Sequence, residues 1–515
     1  MNSLSKKIYL ELKMPGENDT IGDKDRIIKF LEQKYKNVVI PYKIMKTLYP
    51  LCRNNNFKIT VTMIKRKQDW IIAKIEGKNT TDIHYGLAVD LGSTTIVMQL
   101  VDLNTGQIIA EESTFNKQIK YGEDILSRIF YTKENKQGLE EIQKSTIQSF
   151  EELLNLLKNK TNINTKDCSI MTVAGNTTMT HFLLGLDPWT IFQHPFTPVF
   201  NNSDFIEGKD LNLPIDGYIY CFPSVANYLG GDIVSGLLYT GIHKKEELSA
   251  FIDIGTNCEL VIGNKDFLVA AAGAAGPALE GGISKYGMKA CSGAIDSIKI
   301  INNEVSYTTI NNKKPKGICG SGIVDLISEL FLNNYIDFAG TLLPDNSPSI
   351  IKVENDYAFE YVSKEESFNN ESLIFNQNDI KQFLKTKSAA NTMVAYLLEE
   401  IGLNLNDLDY FYVAGAFGTH LNLTSAIAIG MYPDLDHNKI ISPGNTSLKG
   451  AYALLTNRDL LSEIDDIKNR IEYLQLSNAT NFVEKMRAAS FLPHTNLEYY
   501  PSVKEELIKR NIIKY

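Results

Sequence analysis

Two short segments of this chain end in nearly the same sequence, and both have the residue types of a phosphate-binding loop. The first continues an apolar run into Asp90, Leu91, Gly92, Ser93, Thr94 and Thr95. The second continues an apolar run into Asp253, Ile254, Gly255, Thr256 and Asn257. An apolar run of this length that ends at a glycine turn is typical of a buried strand entering a tight hairpin.

The chemistry of these loops follows from glycine and from the aspartate that precedes it. Glycine lets a backbone approach a ligand closely, and successive N–H groups in such a turn form a concavity for anions. One Asp-x-Gly-Ser/Thr sequence is usually an ordinary hairpin turn, but two on matching strands favour a clamp on nucleotide phosphates. An aspartate at a strand end can also hold a divalent metal or its bound water. The pattern therefore predicts phosphate binding by both loops and a metal held by Asp90 and Asp253.

Two further glycine-rich turns each allow a functional and an ordinary interpretation. The first turn lies between a predicted strand and a helix and reads Gly415, Ala416, Phe417, Gly418. Its small residues would let an adenosine ring and ribose pack against the backbone, or they form only a tight connection. The second turn, Gly230-Gly231-Asp232, opens a helix. Asp232 there either orients an attacking water or a metal, or simply stabilises the N-terminus of the helix.

Composition and charge exclude several classes of protein. Hydrophobic residues make up 43% of the 515 positions and charged residues 22%, which is typical of a soluble globular protein. The net charge is −9, and no basic stripe predicts binding to nucleic acid. The most apolar stretch, 267–279, is interrupted by glycine and proline, so we expect no membrane span. Residues 1–10 lack the apolar core of a signal peptide, which predicts a cytoplasmic protein.

The cysteines argue against a local metal or iron–sulfur site. There are six, and the closest pair, Cys291 and Cys319, is 28 residues apart. No C-x-x-C sequence occurs, and the seven histidines are equally scattered. We therefore predict buried reduced thiols and no iron–sulfur cluster in this chain. Walker, Gly-x-Gly-x-x-Gly and Gly-x-Ser-x-Gly motifs are also absent from the sequence.

The order of predicted strands and helices indicates three domains. Residues 1–84 predict a small α+β domain, and residues 85–249 a first α/β lobe. Residues 250–515 predict a second lobe with the adenosine-binding turn and C-terminal helices. Each lobe is led by an Asp-x-Gly hairpin, and Asp90 and Asp253 are 163 residues apart. This is the pattern of a duplicated α/β fold with a ligand cleft between its lobes.

Three other segments carry weaker predictions. The apolar positions of Gly138–Leu157 recur with helical spacing. The C-terminal region predicts helices at Asn445–Thr456 and Leu460–Leu474. The polar stretch Gly340–Asn376, which contains proline and serine, predicts an excursion from the second lobe.

The two loops and the Gly415 turn together resemble the ATPase superfamily of actin, the heat-shock chaperones and the sugar kinases. More narrowly, several segments occur in the order found in the ATP-dependent reductive activators of corrinoid proteins. These segments are Asn116-x-Gln118-x-x-Tyr121-Gly122-x-Asp124-x-x-Ser127-Arg128, Gly175-Asn176-Thr177-Thr178-Met179, Ala275-Gly276-Pro277-x-x-Glu280-Gly281, Gly320-Ser321-Gly322, Ala414-Gly415-Ala416-Phe417-Gly418 and Asn445-Thr446-Ser447-Leu448-Lys449-Gly450-Ala451. The resemblance runs from about residue 6 to the C-terminus. It implies that residues 1–84 are a linker domain and that 85–249 and 250–515 are a first and a second ATPase lobe.

The resemblance implies an activity, cofactors and partners. It implies that ATP drives an electron onto the Co(II) corrinoid of a methyltransferase corrinoid protein and restores Co(I). It implies ATP and Mg²⁺ as cofactors, with Mg²⁺ at Asp90 and Asp253, water positioned by Asp232 and adenosine at 415–418. The chain starts where the linker domain of the family starts, so we expect the iron–sulfur domain to be missing and a separate ferredoxin-like protein to donate the electron. A homodimer is one option for its assembly.

Two alternatives remain open from the sequence. A small-molecule kinase of the same superfamily needs a carboxylate base beside its substrate, and Asp232 could serve. A nucleotide-gated binding protein without redox function would need only the loops. The chain also departs from the family at Cys258, where the resemblance implies glycine.

Overall fold

The chain divides into two compact units. The computed structural model describes residues 1–255, 257–274, 282–476 and 481–514. Unit 1 consists of Met1–Gly241 and Thr446–Arg470. Unit 2 consists of Ile242–Asn445 and Ile471–Tyr515. Each unit is described below by itself.

Strands and helices are numbered in chain order. The strands are β1 Ser5–Glu11, β2 Val38–Val39, β3 Lys58–Lys65, β4 Trp70–Gly77, β5 Tyr85–Leu91, β6 Thr95–Asp102, β7 Ile108–Phe115, β8 Cys168–Gly175, β9 Ile206–Glu207, β10 Tyr218–Cys221, β11 Ser249–Ile254, β12 Asn257–Gly263, β13 Leu268–Ala274, β14 Ala294–Ile301, β15 Glu304–Thr309, β16 Gly317–Ile318, β17 Ile350–Val353, β18 Asp356–Val362, β19 Leu373–Asn376, β20 Tyr410–Ala414, β21 Ile440–Gly444 and β22 Ile471–Tyr473. The helices are α1 Asp23–Leu31, α2 Tyr42–Asn54, α3 Ile125–Glu134, α4 Gly138–Thr161, α5 Thr177–Leu184, α6 Trp189–Phe192, α7 Gly231–Thr240, α8 Gly320–Leu332, α9 Gln377–Glu400, α10 Gly415–His420, α11 Leu423–Ala428, α12 Thr446–Thr456, α13 Leu460–Arg470, α14 Phe482–Ala489 and α15 Pro501–Lys509.

Unit 1 begins with a small four-stranded sheet in the order β1-β3-β4-β2. Helices α1 and α2 pack on it over a separate apolar core. Alternate residues of β3 enter that core, and Ile59, Val61 and Met63 are fully buried. The alternation of apolar residues in the sequence of β3 predicts which face enters this core, although the other face, with Thr60, Thr62 and Ile64, is buried too. The α+β linker domain predicted from the sequence is therefore confirmed.

Five strands of the large sheet have the same pairing in both units, and the sixth strand differs, because β9 pairs with β10 whereas β22 pairs with β13. In unit 1 the order is β7-β6-β5-β8-β10-β9, and in unit 2 it is β21-β20-β11-β12-β13-β22. In each, three antiparallel strands (β5 to β7, and β11 to β13) are followed by two strands parallel to the first of them (β8 and β10, and β20 and β21). This repeated pairing confirms the duplicated α/β fold.

Helix α4 shows why the helical prediction for its segment holds. Its predicted apolar positions are all buried in the core of unit 1: Ile142, Ile147, Phe150, Leu153, Leu154 and Leu157. The spacing of three and four residues puts them on one face, against the sheet. A membrane span needs a more uniformly apolar helix than α4.

No helix in the described ranges is both long and apolar enough to cross a membrane.

Two C-terminal segments differ from their sequence-based assignment. Helices α12 and α13 were assigned to the second lobe, but the structure places them in unit 1. Residues 471–473 were assigned to the end of a helix, but they form β22, which pairs in parallel with β13 through Leu268, Val269 and Ala270. That prediction was wrong because an edge strand of the sheet lacked a partner on this side, and strand pairing overrides helical periodicity.

The predicted excursion at 340–376 contains a small antiparallel sheet. Strands β17, β18 and β19 pair in that order. The buried side chains of Phe359, Tyr361 and Phe375 join the main core of unit 2. The polar composition of the loops around these short strands concealed them in the sequence.

Helix α12 packs against α7 at very short range, and glycine makes this packing possible. A Cβ atom at Gly450 would lie 2.0 Å from the carbonyl oxygen of Ser235. A second contact follows at the sheet, where Thr172 Oγ1 of β8 donates to Ala451 O at 2.9 Å. Residues that are far apart in the sequence therefore share one tightly packed interface.

We predict that Gly450→Ala destabilises the protein. Alanine favours a helix over glycine by about 1 kcal/mol, but the clash with Ser235 O costs about 1–3 kcal/mol, so the free energy of unfolding should fall. Urea unfolding followed by circular dichroism measures the change as a lower midpoint. Gly16→Ala is the control, because nothing lies within 4 Å of its added Cβ. Equal midpoints for the two variants would contradict the close packing of α12 on α7.

Candidate functional site

The first predicted loop is a tight hairpin at the end of β5. Asp90 pairs with Val97 across the hairpin and lies beside Ala174 of the parallel strand β8. A Cβ at Gly92 would lie 2.4 Å from Thr95 O, so this turn excludes any other residue at that position. The loop therefore has the compact backbone that close approach to a phosphate requires.

The carboxylate of Asp90 has a partner that sequence reasoning missed. Ser447 Oγ, at the start of α12, donates to Asp90 Oδ1 at 2.9 Å. Ser235 Oγ of α7 in turn donates to Ser447 O at 2.7 Å. The sequence indicates Ser447 only as part of a segment that resembles the family. Its contact with Asp90 was not predicted, because 357 positions separate the two residues and no periodicity connects them.

Asp232 is the second residue of α7 and is half-buried. Its Oδ1 accepts a hydrogen bond from Ile233 N at 2.9 Å. A Cβ at the preceding Gly230 would lie 2.4 Å from Asn176 Cα, so the start of α7 lies directly against the residue that follows β8. The geometry fits both the structural and the catalytic interpretation of Asp232.

Glycine packing also joins the ends of neighbouring strands in unit 1. A Cβ at Gly175 would lie 2.9 Å from Leu91 O. The end of β8 is thus in contact with the end of β5, immediately beside the first loop. Asp90 and Asp232 consequently belong to the same edge of the unit 1 sheet, where the parallel strands β5 and β8 end.

The second predicted loop has the equivalent position in unit 2. Asp253 pairs with Glu259 across the β11–β12 hairpin and lies beside Ala414 of the parallel strand β20. Gly255 N donates to Asn257 O at 2.8 Å, which closes a tight turn. Thr256 lies outside the described residues.

The glycine turn after β20 adjoins the Asp253 carboxylate. Gly415 has φ +85°, and a Cβ there would lie 3.1 Å from Asp253 Oδ1. A Cβ at Gly418 would lie 2.5 Å from Val413 O. The structure therefore brings this predicted turn and the second predicted aspartate together, although the side chains of Ala416 and Phe417 are outside the described residues.

Cys258 fits its position without the conformational freedom of glycine. It lies inside β12, where it pairs with Ile254 and Gly273 in regular antiparallel register. Its side chain is buried, and burial raises the pKa of the thiol well above its usual value. Extended backbone accepts any side chain here, so the departure from the family sequence leaves the hairpin intact.

The carboxylates of the predicted site determine what kind of metal ion it could hold. In the described part of the chain, no group of three or more His, Cys, Asp or Glu side chains is placed to hold a metal ion. Mg²⁺ that enters with a polyphosphate needs only one or two carboxylates, because phosphate oxygens and water supply its other ligands. Asp90 in unit 1 and Asp253 in unit 2 are each half-buried near a strand end, and each by itself fits that lesser requirement.

Comparison with known families matches almost every part of the chain. Residues 1–82 match the RACo linker region and residues 85–245 the RACo middle region. Residues 247–504 match the family described as the C-terminal domain of RACo, the ASKHA domain.

Two individual relatives match shorter parts of the chain. The chain is 31% identical over 410 residues to the corrinoid activation enzyme RamQ of Eubacterium limosum, which covers 78% of this chain and 69% of that protein. It is 25% identical over 263 residues to the [Co(II) methylated amine-specific corrinoid protein] reductase of Methanosarcina barkeri, covering 50% of this chain and 48% of that protein.

A solved structure, the reductive activator for corrinoid,iron-sulfur protein, is similar to this chain with a TM-score of 0.89 and 37% identity. The similarity covers 97% of this chain and 81% of that one. The family predicted from the sequence segments is thereby confirmed: the chain belongs to the RACo family of reductive activators.

Proposed function

We propose that this protein binds and hydrolyses ATP to support the reduction of a Co(II) corrinoid to Co(I) in the corrinoid protein of a methyltransferase system. The observation that carries the proposal is the similarity to an activator structure along 97% of the chain. The names of the two sequence relatives, a corrinoid activation enzyme and a Co(II) corrinoid protein reductase, support the same activity.

The loops of both units support ATP as the ligand. Each loop combines an aspartate near a strand end with a tight glycine turn, and successive backbone N–H groups of such a turn can bind a phosphate. We propose that Gly92–Thr95 and Gly255–Asn257 contact phosphates, that Gly415–Gly418 contact adenosine, and that Asp90 and Asp253 hold Mg²⁺ through water. When bound, Mg²⁺ neutralises charge that develops on the phosphates.

Asp232 is proposed to position the water that attacks the terminal phosphate. Its place at the start of α7 and its half-buried carboxylate support this role. The backbone N–H of Ile233 holds one carboxylate oxygen, which restricts the rotation of the side chain. The other oxygen is then oriented by the same contact, as the positioning of a nucleophile requires.

The redox step needs a one-electron donor. We propose a separate reduced ferredoxin-like protein, because the spacing of the six cysteines in this sequence is unlike that of an iron–sulfur site. The donor gives one electron to Co(II), which becomes Co(I), and the donor is left oxidised by one electron. ATP hydrolysis consumes one water and supplies the free energy for an electron transfer that is otherwise uphill.

We predict that Asp253→Asn abolishes most ATP turnover. The amide keeps the shape of the side chain but removes the negative charge that the proposed cation needs, so the rate of phosphate release should fall at least about 100-fold. Asp266→Asn is the matched control, because Asp266 is an exposed aspartate of the same unit in the β12–β13 turn. Turnover that persists in Asp253→Asn would contradict the site assignment.

A second prediction tests the proposed function itself. The chain is incubated with ATP, Mg²⁺, a reduced ferredoxin and a Co(II) corrinoid protein, and the cobalt absorption spectrum is followed. We expect Co(I) to accumulate only when ATP and the reduced donor are both present. Failure to form Co(I) under these conditions rejects the proposal, and ATP consumption that rises only with a sugar or an organic acid indicates a kinase instead.

A further inference from the structure

The segment from Asn116 to Arg128 binds the backbone of the first loop, although the proposed function gives it no role. Asn116 Nδ2 donates to Gly92 O at 2.9 Å, and Asn116 N donates to Thr94 O at 2.8 Å. Arg128 Nη1 donates to Ser93 O at 2.8 Å. Three successive carbonyl groups of the loop therefore all accept hydrogen bonds from two residues of this segment.

These contacts also set the direction of the N–H groups of the loop. In a trans peptide the C=O of one residue points opposite to the N–H of the next. With Gly92 O and Ser93 O turned toward Asn116 and Arg128, the N–H groups of Ser93 and Thr94 point the other way. Across the described ranges, neither of these N–H groups donates to a protein acceptor. Two outward N–H groups in succession are the donors that an anion requires.

The network that holds the loop is itself rigid. Arg128 Nε donates to Gly122 O at 2.9 Å, and Arg128 Nη1 also donates to Gln118 Oε1 at 3.1 Å. Gln118 Nε2 donates to Thr146 Oγ1 of α4 at 2.6 Å. The side chains of Asn116, Gln118 and Arg128 are fully buried. Buried polar groups that satisfy one another in this way have little freedom to rearrange.

Arg128 is also a buried positive charge. Among the residues that the structure describes, no carboxylate forms an ion pair with its guanidinium. Its acceptors are backbone carbonyl oxygens, the side-chain amide oxygen of Gln118 and, at 3.8 Å, the sulfur of Met179. Burial lowers the pKa of Arg128 to about 10, so it remains protonated at neutral pH. The charge of Asp124 partly opposes this lowering of the pKa, but Asp124 is exposed to solvent. A buried charge that lacks an ion-pair partner is costly. An anion on the outer side of the loop would offset that cost.

We propose that Asn116, Gln118 and Arg128 are positioning residues for the first phosphate loop. Asn116 and Arg128 hold its carbonyl groups inward, Gln118 orients Arg128, and the guanidinium provides positive charge behind the N–H groups that face the phosphates. The inference rests on the proposed function, since it takes the phosphates of ATP as the ligand. The sequence of this segment by itself indicates the family but no role for these three side chains.

The test compares variants of the full chain in an assay of phosphate release, with adenosine as a competitive inhibitor. Arg128→Met keeps a long side chain but removes the charge and the donors, so we expect the KM for ATP to rise about tenfold. The Ki for adenosine should stay unchanged, because adenosine carries no phosphate. Arg128→Lys, which keeps the charge with fewer donors, should give an intermediate KM.

Ile129→Ala is the matched control. Ile129 follows Arg128 on α3, and its buried side chain belongs to the apolar core of unit 1. It should lower stability without raising the KM for ATP. Circular dichroism at the assay temperature establishes that all variants are folded.

The possible results distinguish a failure of the positioning role from a failure of the proposed function. A wild-type KM in Arg128→Met overturns this inference alone. Equal rises in the KM for ATP and the Ki for adenosine, or a similar rise in Ile129→Ala, also overturn it, because they indicate a general loss of structure. Absence of ATP turnover in the unchanged chain overturns the proposed function and the inference with it.

Discussion

The close approach of α12 to α7 is the constraint on which the site in unit 1 depends. Gly450 allows the approach because any side chain there would meet Ser235 O. The hydroxyl of Ser235 donates a hydrogen bond to the carbonyl of Ser447, and the hydroxyl of Ser447 donates one to the carboxylate of Asp90. A carboxylate that two packed helices orient in this way is fixed before any ligand arrives, which reduces the entropy lost on binding.

The same pattern of pairing among five strands occurs in both units, but different groups surround the two aspartates. In both, one strand pairs antiparallel on one side and parallel on the other, and an aspartate is its penultimate residue. This aspartate lies beside an alanine of the parallel neighbour. Asp90 is bonded by a serine of a helix, whereas Asp253 lies against the glycine turn at Gly415. The repeated backbone sets the positions of the aspartates, and the local side chains give each a separate environment.

Arg128 in unit 1 and Lys387 in unit 2 are both fully buried, and their acceptors include backbone carbonyl groups rather than carboxylates. Arg128 is held by carbonyls that include one from the first loop. Lys387 of α9 donates to the carbonyls of Ala489, Phe491 and Pro493 at 2.5, 2.7 and 2.5 Å and thereby fastens the C-terminal segment to unit 2. Hydrogen bonds from charged donors are stronger than neutral ones, and each buried cation orders a stretch of backbone that has no regular partner of its own.

The sequence alone determined the duplicated fold, the linker domain, the family and the two hairpins, because burial periodicity and glycine chemistry are local properties. Only the tertiary structure decided that α12 belongs to unit 1, that 471–473 pair as a strand, and that Ser447 meets Asp90. It also showed that Asn116 and Arg128 hold the carbonyl groups of the first loop. These facts depend on contacts between residues tens or hundreds of positions apart, and no local pattern records which distant backbone a side chain will reach once the chain has folded.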